Sequence, residues 1–217
     1  MHIVVAPDSF KGTASAPEAA ASIAMGVRQA LPDATVTTLP MADGGEGTAA
    51  VLAQAAAAGG QSAETITLPT TDANGRLTQA SYVLAGTTAF IDAASATGLP
   101  AVQDSLDPLH ADSYGTGVLI ADAETRGATS IVLGLGGTAS IDAGMGILTA
   151  LGAAAHDARG YACPRAALPS FSSTTSIQRS SISRRACSTS HCWQIPALPQ
   201  CRRQPCTAPK RELKANK

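Results

Sequence analysis

The feature that most constrains the fold of this chain is a repeated unit: a short apolar run, a polar loop that contains glycine, and a segment with helical character. The first unit covers residues 2–31 and carries the capping-box pattern Ser15-x-x-Glu18 at the start of its helical part. A segment at 35–39 that alternates like a strand and a predicted strand at 130–134 open two further units of the same kind. Because strands that alternate with helices form mainly parallel sheets, the sequence predicts an α/β fold with a mostly parallel sheet.

Residues 61–92 interrupt this pattern. They contain three predicted strands, at Thr65–Leu68, Gln79–Leu84 and Thr88–Asp92. Asn74-Gly75 is a turn signal between the first two strands, and no helical segment separates any of the three. We therefore expect antiparallel strands here within the mostly parallel fold, followed by helices at 114–126 and around 145–151.

Composition divides the chain near residue 160. Residues 1–160 contain five Lys or Arg and fifteen Asp or Glu, whereas residues 161–217 contain ten Lys or Arg and one Glu. All 20 glycines lie in the first part and all five cysteines in the second. Since the second part has neither helical nor strand periodicity and is rich in Ser, Arg and Pro, we expect residues 164–217 to be a largely disordered tail.

Charge and hydropathy argue against two classes of partner. The net charge is −1 and the first 160 residues are acidic, so the sequence predicts no nucleic-acid partner. No stretch approaches the roughly 18 apolar residues of a membrane span, and the start lacks the features of a signal peptide, so we expect no membrane association. The first part contains no cysteine, which favours a cytoplasmic location.

The first candidate loop, residues 7–12, follows the first predicted strand and is called loop 1. It presents a carboxylate, a hydroxyl and an ammonium group within four residues, from Asp8, Ser9 and Lys11. Loops at the carboxyl ends of strands are where α/β sheets bind ligands. Lys11 is therefore either a phosphate-binding group or a surface lysine paired with Asp8.

The second candidate loop, residues 42–48, is called loop 2 and is rich in glycine. Gly44 and Gly45 permit close approach of a ligand to the backbone. Asp43 and Glu46 offer the oxygen ligands that Mg²⁺ prefers beside phosphate. The alternative is a glycine-rich turn in which Glu46 lies near a helix start, where acidic residues are favoured in any case.

The third candidate loop, residues 134–144, is called loop 3 and runs from a predicted strand into a helix. Successive backbone N–H groups and the helix start form a predicted anion site. The alternative is a tight turn with Ser140 or Asp142 as the N-cap residue, and the two interpretations are compatible. The P-loop sequence and the dinucleotide-binding Gly-x-Gly-x-x-Gly fingerprint do not occur at a suitable place.

As a set, these segments resemble a known family. The matching segments are Ile3–Gly12, Pro40–Thr48, Ile91–Leu99, Ser113–Gly117 and Gly134–Gly146. In this order they are similar to the bacterial type-1 glycerate kinases, and the resemblance covers about residues 1–163. It implies transfer of phosphate from ATP, with Mg²⁺, to a hydroxyl of glycerate, giving 2- or 3-phosphoglycerate.

The resemblance also implies site residues, motif by motif. The implied catalytic set is Asp8, Lys11, Asp43 and Asp142, with Asp43 as the metal ligand. The implied cofactor-binding set is Ser9, Gly44, Gly45, Glu46, Gly136, Gly137 and Thr138. Lys11 and the glycine amides are expected to bind phosphate, and Asp43 or Asp142 to hold the metal or the attacking hydroxyl. Ile141 departs from the pattern, since many members of the family have Asn there.

The same resemblance implies two α/β domains, the first of them Rossmann-like. Residues 1–62 are expected to form a segment of that first domain and residues 63–163 part of a second one, which leaves the fold incomplete. The change of composition after residue 160 predicts a frameshift between about Tyr161 and Ser170, and a short paralogue with a new tail is the competing explanation.

Three functions stay open on the sequence alone. The leading one is a glycerate kinase whose activity is impaired by the missing length. The second is an inactive remnant that binds nucleotide weakly at most. The third is another α/β enzyme such as a hydroxy-acid dehydrogenase, which the missing dinucleotide fingerprint disfavours.

Overall fold

The computed structural model describes residues 1–156 and the backbone of residues 176–179, all within the first of the two units into which the chain divides, Met1–Ala186. The strands are β1 (His2–Val5), β2 (Thr35–Thr38), β3 (Ala63–Thr71), β4 (Leu77–Ala85), β5 (Thr88–Asp92), β6 (Ser130–Gly134), β7 (Ala153–His156) and β8 (Ser176–Arg179). The helices are α1 (Ala16–Ala30), α2 (Thr48–Ala58), α3 (Ala93–Thr97), α4 (Tyr114–Thr125) and α5 (Met145–Ala150), with a 3-10 turn at Leu99–Val102. The predicted α/β fold is confirmed.

Helix α1 begins where the capping pattern predicts. The Ser15 hydroxyl accepts a hydrogen bond from the Glu18 N–H at 3.4 Å, and the Glu18 carboxylate accepts one from the Ser15 N–H at 2.8 Å. The Ser15 hydroxyl also donates to the Glu18 carboxylate at 2.7 Å, and this bond together with that from the Ser15 N–H lowers the pKa of Glu18, because both favour its charged form. Ala20 and Ala24 of α1 pack against Val5 of β1, so the helix lies against the first strand.

Strands β1 and β2 form a two-stranded parallel sheet, with Ile3 opposite Val36. Just beyond the paired strands, the Leu39 N–H donates to the Val5 carbonyl at 2.8 Å. The two strands therefore stay paired up to the point where loops 1 and 2 begin. A parallel pair of this kind brings the carboxyl ends of both strands to the same edge.

The second sheet has four strands in the order β3-β4-β5-β6. The β3–β4 and β4–β5 pairs are antiparallel, as predicted for residues 61–92, and β5–β6 is parallel. At the β3–β4 turn, Gly75 has a φ of 78°, which glycine adopts without strain. The Asp72 carboxylate fixes this turn by accepting the N–H groups of Asn74 and Arg76, each at 2.9 Å.

The main core lies between this four-stranded sheet and α4. Tyr82 and Ile91 from the strands are 1% exposed and pack with Leu119 of α4, which is fully buried. The Tyr82 hydroxyl donates to the Asp122 carboxylate at 2.8 Å, so the one polar atom of this core side chain has a partner. Helix α2 also packs against β4 and β5. It therefore lies on the sheet that follows it in the chain, while the predicted boundary between residues 62 and 63 stays a prediction.

The end of the described chain forms a separate antiparallel pair of β7 with β8. Sequence periodicity predicted neither strand, and β8 lies within the segment that is expected to be a largely disordered tail. The rest of the 164–217 tail, with the proposed frameshift point, lies outside the described residues. No helix in the described ranges is both long and apolar enough to cross a membrane.

Candidate functional site

Loops 1, 2 and 3 lie side by side at one edge of the fold. The Met41 N–H, which directly precedes loop 2, donates to the Pro7 carbonyl of loop 1 at 2.9 Å. The Gly136 N–H of loop 3 donates to the Gly44 carbonyl of loop 2 at 2.7 Å. The segment formed by Met41 and loop 2 is therefore hydrogen-bonded on one side to loop 1 and on the other to loop 3, although the first and third loops are more than 120 residues apart in sequence.

The contact between loops 2 and 3 requires glycine. A Cβ atom added at Gly136 would lie 2.7 Å from the Cα and 3.0 Å from the N of Gly45. One added at Gly134 would lie 2.8 Å from the Gly44 carbonyl oxygen. All of these neighbouring atoms belong to the backbone, so no side-chain rotation could make room. The absence of side chains at these positions lets two backbones approach directly.

Loop 1 presents charged side chains to solvent. Asp8 and Lys11 are both exposed, and the Asp8 carboxylate accepts the N–H of Ser9 at 2.6 Å. Gly12 has a φ of 75° and closes a tight turn. No ion pair within residues 1–156 joins Lys11 to Asp8, so the interpretation of Lys11 as the partner of Asp8 has no support in the geometry. The Lys11 side chain is exposed to solvent.

Loop 2 pairs two of its amides within the loop and the helix start that follows it, and exposes its acidic side chains. The Gly45 N–H donates to the Asp43 carboxylate at 2.9 Å, and the Gly44 N–H donates to the Thr48 hydroxyl at 3.1 Å. The predicted phosphate contacts from these two amides would have to replace those hydrogen bonds. The Asp43 and Glu46 side chains are exposed, so the groups that loop 2 offers a ligand directly are carboxylates.

A buried carboxylate that the sequence analysis did not single out stands behind loop 2. Asp92, the last residue of β5, is 9% exposed and accepts the N–H of Gly47 at 2.9 Å and that of Ala49 at 2.8 Å. Burial raises its pKa, the two amide hydrogen bonds lower it, and the charge of Glu46 raises it further. An acidic residue directly after an apolar strand was the available signal, but its partners lie more than 40 residues away in sequence.

Asp142 of loop 3 is also buried, and its carboxylate is fully engaged. It accepts the N–H and the hydroxyl of Ser113, at 2.8 and 2.7 Å, and the N–H groups of Gly144 and Gly146, at 3.1 and 2.9 Å. At 3% exposure it has little contact with solvent. These contacts make Asp142 the link between the start of α4 and the start of α5.

Two expectations for loop 3 change with this geometry. The N-cap residue of α5 is Gly144, with a φ of 79°, and not Ser140 or Asp142, because the turn needs a left-handed residue there. The Gly146 N–H at the start of this six-residue helix is bonded to Asp142, and the Ile147 N–H donates to the Ser113 hydroxyl at 3.1 Å. The predicted anion site at the helix start is therefore already filled by the protein's own groups.

The glycine-threonine part of loop 3 is attached to the turn after α3. Gly137 accepts the Leu99 N–H at 2.9 Å through its carbonyl, and Thr138 forms an isolated antiparallel bridge with Gly98. The Gly136 N–H is used by loop 2, as described above. Ile141 is 65% exposed. It therefore adds an apolar side chain at the surface of loop 3, where related sequences are expected to carry a polar one.

The described residues contain no group of three or more His, Cys, Asp or Glu side chains gathered as a metal site. A Mg²⁺ site needs fewer protein ligands than this, because the ion is commonly held by one or two carboxylates together with substrate phosphates and water. The exposed Asp43 carboxylate of loop 2 fits that donor set. Loops with polar side chains at the carboxyl ends of strands define the class of α/β proteins that bind a small ligand at this edge.

Comparison with known proteins gives the family within this class. The model of the glycerate kinase family matches residues 3–192, which is most of the chain. The chain therefore belongs to the glycerate kinase family. The match confirms the family resemblance and runs beyond residue 163, where the resemblance of the motifs ends.

Individual relatives agree with this family assignment. The chain is 44% identical over 163 residues to the glycerate 2-kinase of Escherichia coli K12, covering 74% of this chain and 42% of that protein. It is 42% identical over 155 residues to the glycerate kinase of Haemophilus influenzae, covering 70% and 40%. A crystal structure of a protein assigned as glycerate kinase 2 from Salmonella typhimurium LT2 matches with a TM-score of 0.64 and 41% identity, over 76% of this chain and 44% of that one. The chain thus spans about two fifths of the length of these relatives.

Proposed function

We propose that the three-loop edge is part of the site of a glycerate kinase, which transfers phosphate from ATP to a hydroxyl of glycerate and gives 2- or 3-phosphoglycerate. The observation that carries this proposal is the hydrogen bonding of loop 2 to loop 3 and of the adjoining Met41 to loop 1. It supports a common site for the exposed side chains of loops 1 and 2, among them Lys11 and Asp43. Membership of the family supplies the reaction class.

Lys11 is assigned to the phosphates. Phosphoryl transfer requires mainly that the reacting groups are positioned and that negative charge on the transferred group is neutralised. An exposed ammonium group, one of only five cationic side chains in the first 160 residues, can supply that charge. Asp8 and Ser9 lie in the same loop and are assigned to contacts with the substrate or the nucleotide.

Asp43 is assigned to Mg²⁺, with Glu46 as the adjacent acidic group. When bound, the metal would neutralise charge on the phosphates. The Asp43 oxygen that accepts the Gly45 N–H is held in place by that bond, which fixes the orientation of the carboxylate. For Asp142, four hydrogen bonds within the protein favour a positioning role over direct contact with metal or substrate.

Gly137 and Thr138 are assigned to the side of the nucleotide that faces loop 3. The backbone of this loop is immobilised by its bonds to loop 2 and to the turn after α3. Preorganised groups stabilise developing charge without reorganising during the reaction. A cytoplasmic location belongs to the same proposal and is supported by the cysteine-free first 160 residues.

A second candidate, nucleotide binding without turnover, is favoured by a separate observation. Val4 and Leu39, which precede loops 1 and 2, and Leu135 of loop 3 are 56%, 55% and 66% exposed. Exposed apolar side chains beside a site are typical of a surface that another part of a protein covers. The hydroxy-acid dehydrogenase alternative is not retained, because the family match assigns the chain to the kinases.

The test measures binding and turnover separately on the full chain. Calorimetric titration with ATP and Mg²⁺ measures nucleotide affinity, and a coupled assay measures ADP release with glycerate. Lys11→Met should weaken ATP binding about tenfold or more, since a charge-assisted contact is removed. Arg28→Met, at an exposed cation in the last turn of α1, is the matched control and should leave binding unchanged.

The outcomes separate the two candidates. ADP release that depends on glycerate supports the kinase. Binding of ATP that is sensitive to Lys11 but without ADP release supports the non-catalytic alternative. If ATP does not bind, or binds equally well to the Lys11→Met variant, the assignment of the three-loop edge to the nucleotide is wrong.

A further inference from the structure

Asp92 is a buried carboxylate for which the proposed chemistry has no direct use. It ends β5 at the centre of the four-stranded sheet and is 9% exposed. Both of its oxygens are engaged: Oδ2 accepts the Gly47 N–H and Oδ1 accepts the Ala49 N–H. These amides belong to the last turn of loop 2 and the first turn of α2, so Asp92 fixes the point where loop 2 becomes a helix.

The same carboxylate also lies against loop 3. A Cβ atom added at Gly134 would be 3.1 Å from the Asp92 Oδ1 and 2.8 Å from the Gly44 carbonyl oxygen. Gly134 pairs with Asp92 in the parallel register of β5 and β6. One side chain therefore contacts the end of loop 2 while lying directly behind the start of loop 3.

We propose that Asp92 is a positioning residue that sets the geometry of loop 2 relative to loop 3, and thereby the placement of Asp43 and Glu46 toward a bound nucleotide. This inference rests on the function proposed above. It adds to that function a residue that does not touch the ligand. Its effect is exerted through the two amides and the backbone contact between Gly44 and Gly136.

Aspartate suits this role better than its isosteric amide. A carboxylate has two acceptor oxygens, whereas Asn has one oxygen and one NH₂ group. In Asp92→Asn, one of the two amides would face a donor and lose its hydrogen bond. The negative charge that favours the N-terminus of the eleven-residue α2 would also be lost. The shape of the side chain would hardly change, so packing is preserved.

The chain offers a matched control in Asp72. It is 4% exposed; its Oδ1 accepts the N–H groups of Asn74 and Arg76, and its Oδ2 accepts the Nε–H of Arg76 at 2.6 Å. It fixes the β3–β4 turn rather than a loop of the site. Asp72→Asn therefore weakens the hydrogen bonding of a similarly buried carboxylate away from the site, by removing the charge-assisted bond to Arg76, and reports how a general loss of stability affects ATP binding.

The experiment compares wild type, Asp92→Asn and Asp72→Asn by amide hydrogen exchange and by calorimetric titration with ATP and Mg²⁺. Asp92→Asn should accelerate exchange at Gly47, Ala49 and Gly136, and should weaken ATP binding about tenfold, the usual effect of removing a supporting residue. Asp72→Asn should accelerate exchange only at its own turn and leave ATP affinity unchanged.

The two readouts distinguish this inference from the proposed function. If the wild-type chain does not bind ATP, the proposed function fails, while exchange at Gly136 still decides whether Asp92 couples the two loops. If exchange at Gly136 is the same in Asp92→Asn and wild type, the coupling is refuted. The positioning role is also refuted if both variants weaken ATP binding equally, since the effect then follows stability alone.

Discussion

Replacement of Gly136 by alanine should separate loops 2 and 3. The added Cβ would lie 2.7 Å from the Gly45 Cα, whereas carbon atoms in contact are about 3.5–4.0 Å apart. The two backbones would have to move apart by about 1 Å to relieve the overlap. That displacement would stretch the 2.7 Å hydrogen bond from the Gly136 N–H to the Gly44 carbonyl. Overpacking of this kind costs about 1–3 kcal/mol of stability.

Thermal unfolding and calorimetric titration with ATP and Mg²⁺ measure the two consequences. Gly136→Ala should lower the melting temperature and weaken ATP binding, because a displacement of about 1 Å is enough to disturb a positioned site. Gly26→Ala is the control: an added Cβ there has nothing within 4 Å, and in the middle of α1 it should stabilise the chain by about 0.5–1 kcal/mol. If Gly136→Ala keeps both stability and affinity, the close contact of the two loops is not as described.

Two further predictions concern the cap of α1 and the pH dependence of stability. Ser15→Ala should lower the free energy of unfolding by about 1 kcal/mol, since the N-cap bond with Glu18 is lost. Ser22→Ala, at an exposed site within the same helix, should not; equal effects in urea titrations would contradict the cap. Burial raises the pKa of Asp92 above its ordinary value of 3.8, so the folded chain holds a proton that the unfolded chain has released. The stability linked to that proton is present below the ordinary value and lost as pH rises through the raised one. As pH rises from the ordinary to the raised pKa of Asp92, wild type should therefore lose stability relative to Asp92→Asn. A stability difference that does not change with pH would refute this.

The sequence predicted those elements whose stabilising contacts lie between residues close together in the chain. The start of α1 follows from the Ser15 and Glu18 side chains, whose partners lie three residues away. The antiparallel arrangement of residues 61–92 follows from alternating strands and from the Asn74-Gly75 turn. Strands β7 and β8 were missed, because an alanine run and a short polar segment carry no period that distinguishes them from loop.

The candidate loops were predictable as loops, but their internal roles were not. Lys11 and Asp43 are exposed at the edge where the sequence placed them. Asp142 was predicted as a catalytic group, yet its carboxylate is buried among the amides of two helix starts. Nothing local distinguishes an aspartate that faces a ligand from one that faces the protein, since the distinction depends on which other segment packs against it.

The sequence by itself determined the family, the order of strands β1 to β6, and the three glycine-bearing loops, because each is encoded within a few consecutive residues. Only the tertiary structure decided that Gly136 contacts Gly44, and that Asp92 binds the amides at the start of α2. The physical reason is that these contacts join residues more than 40 positions apart. They exist only once sheet pairing has fixed the register of β5 against β6 and brought the backbones together.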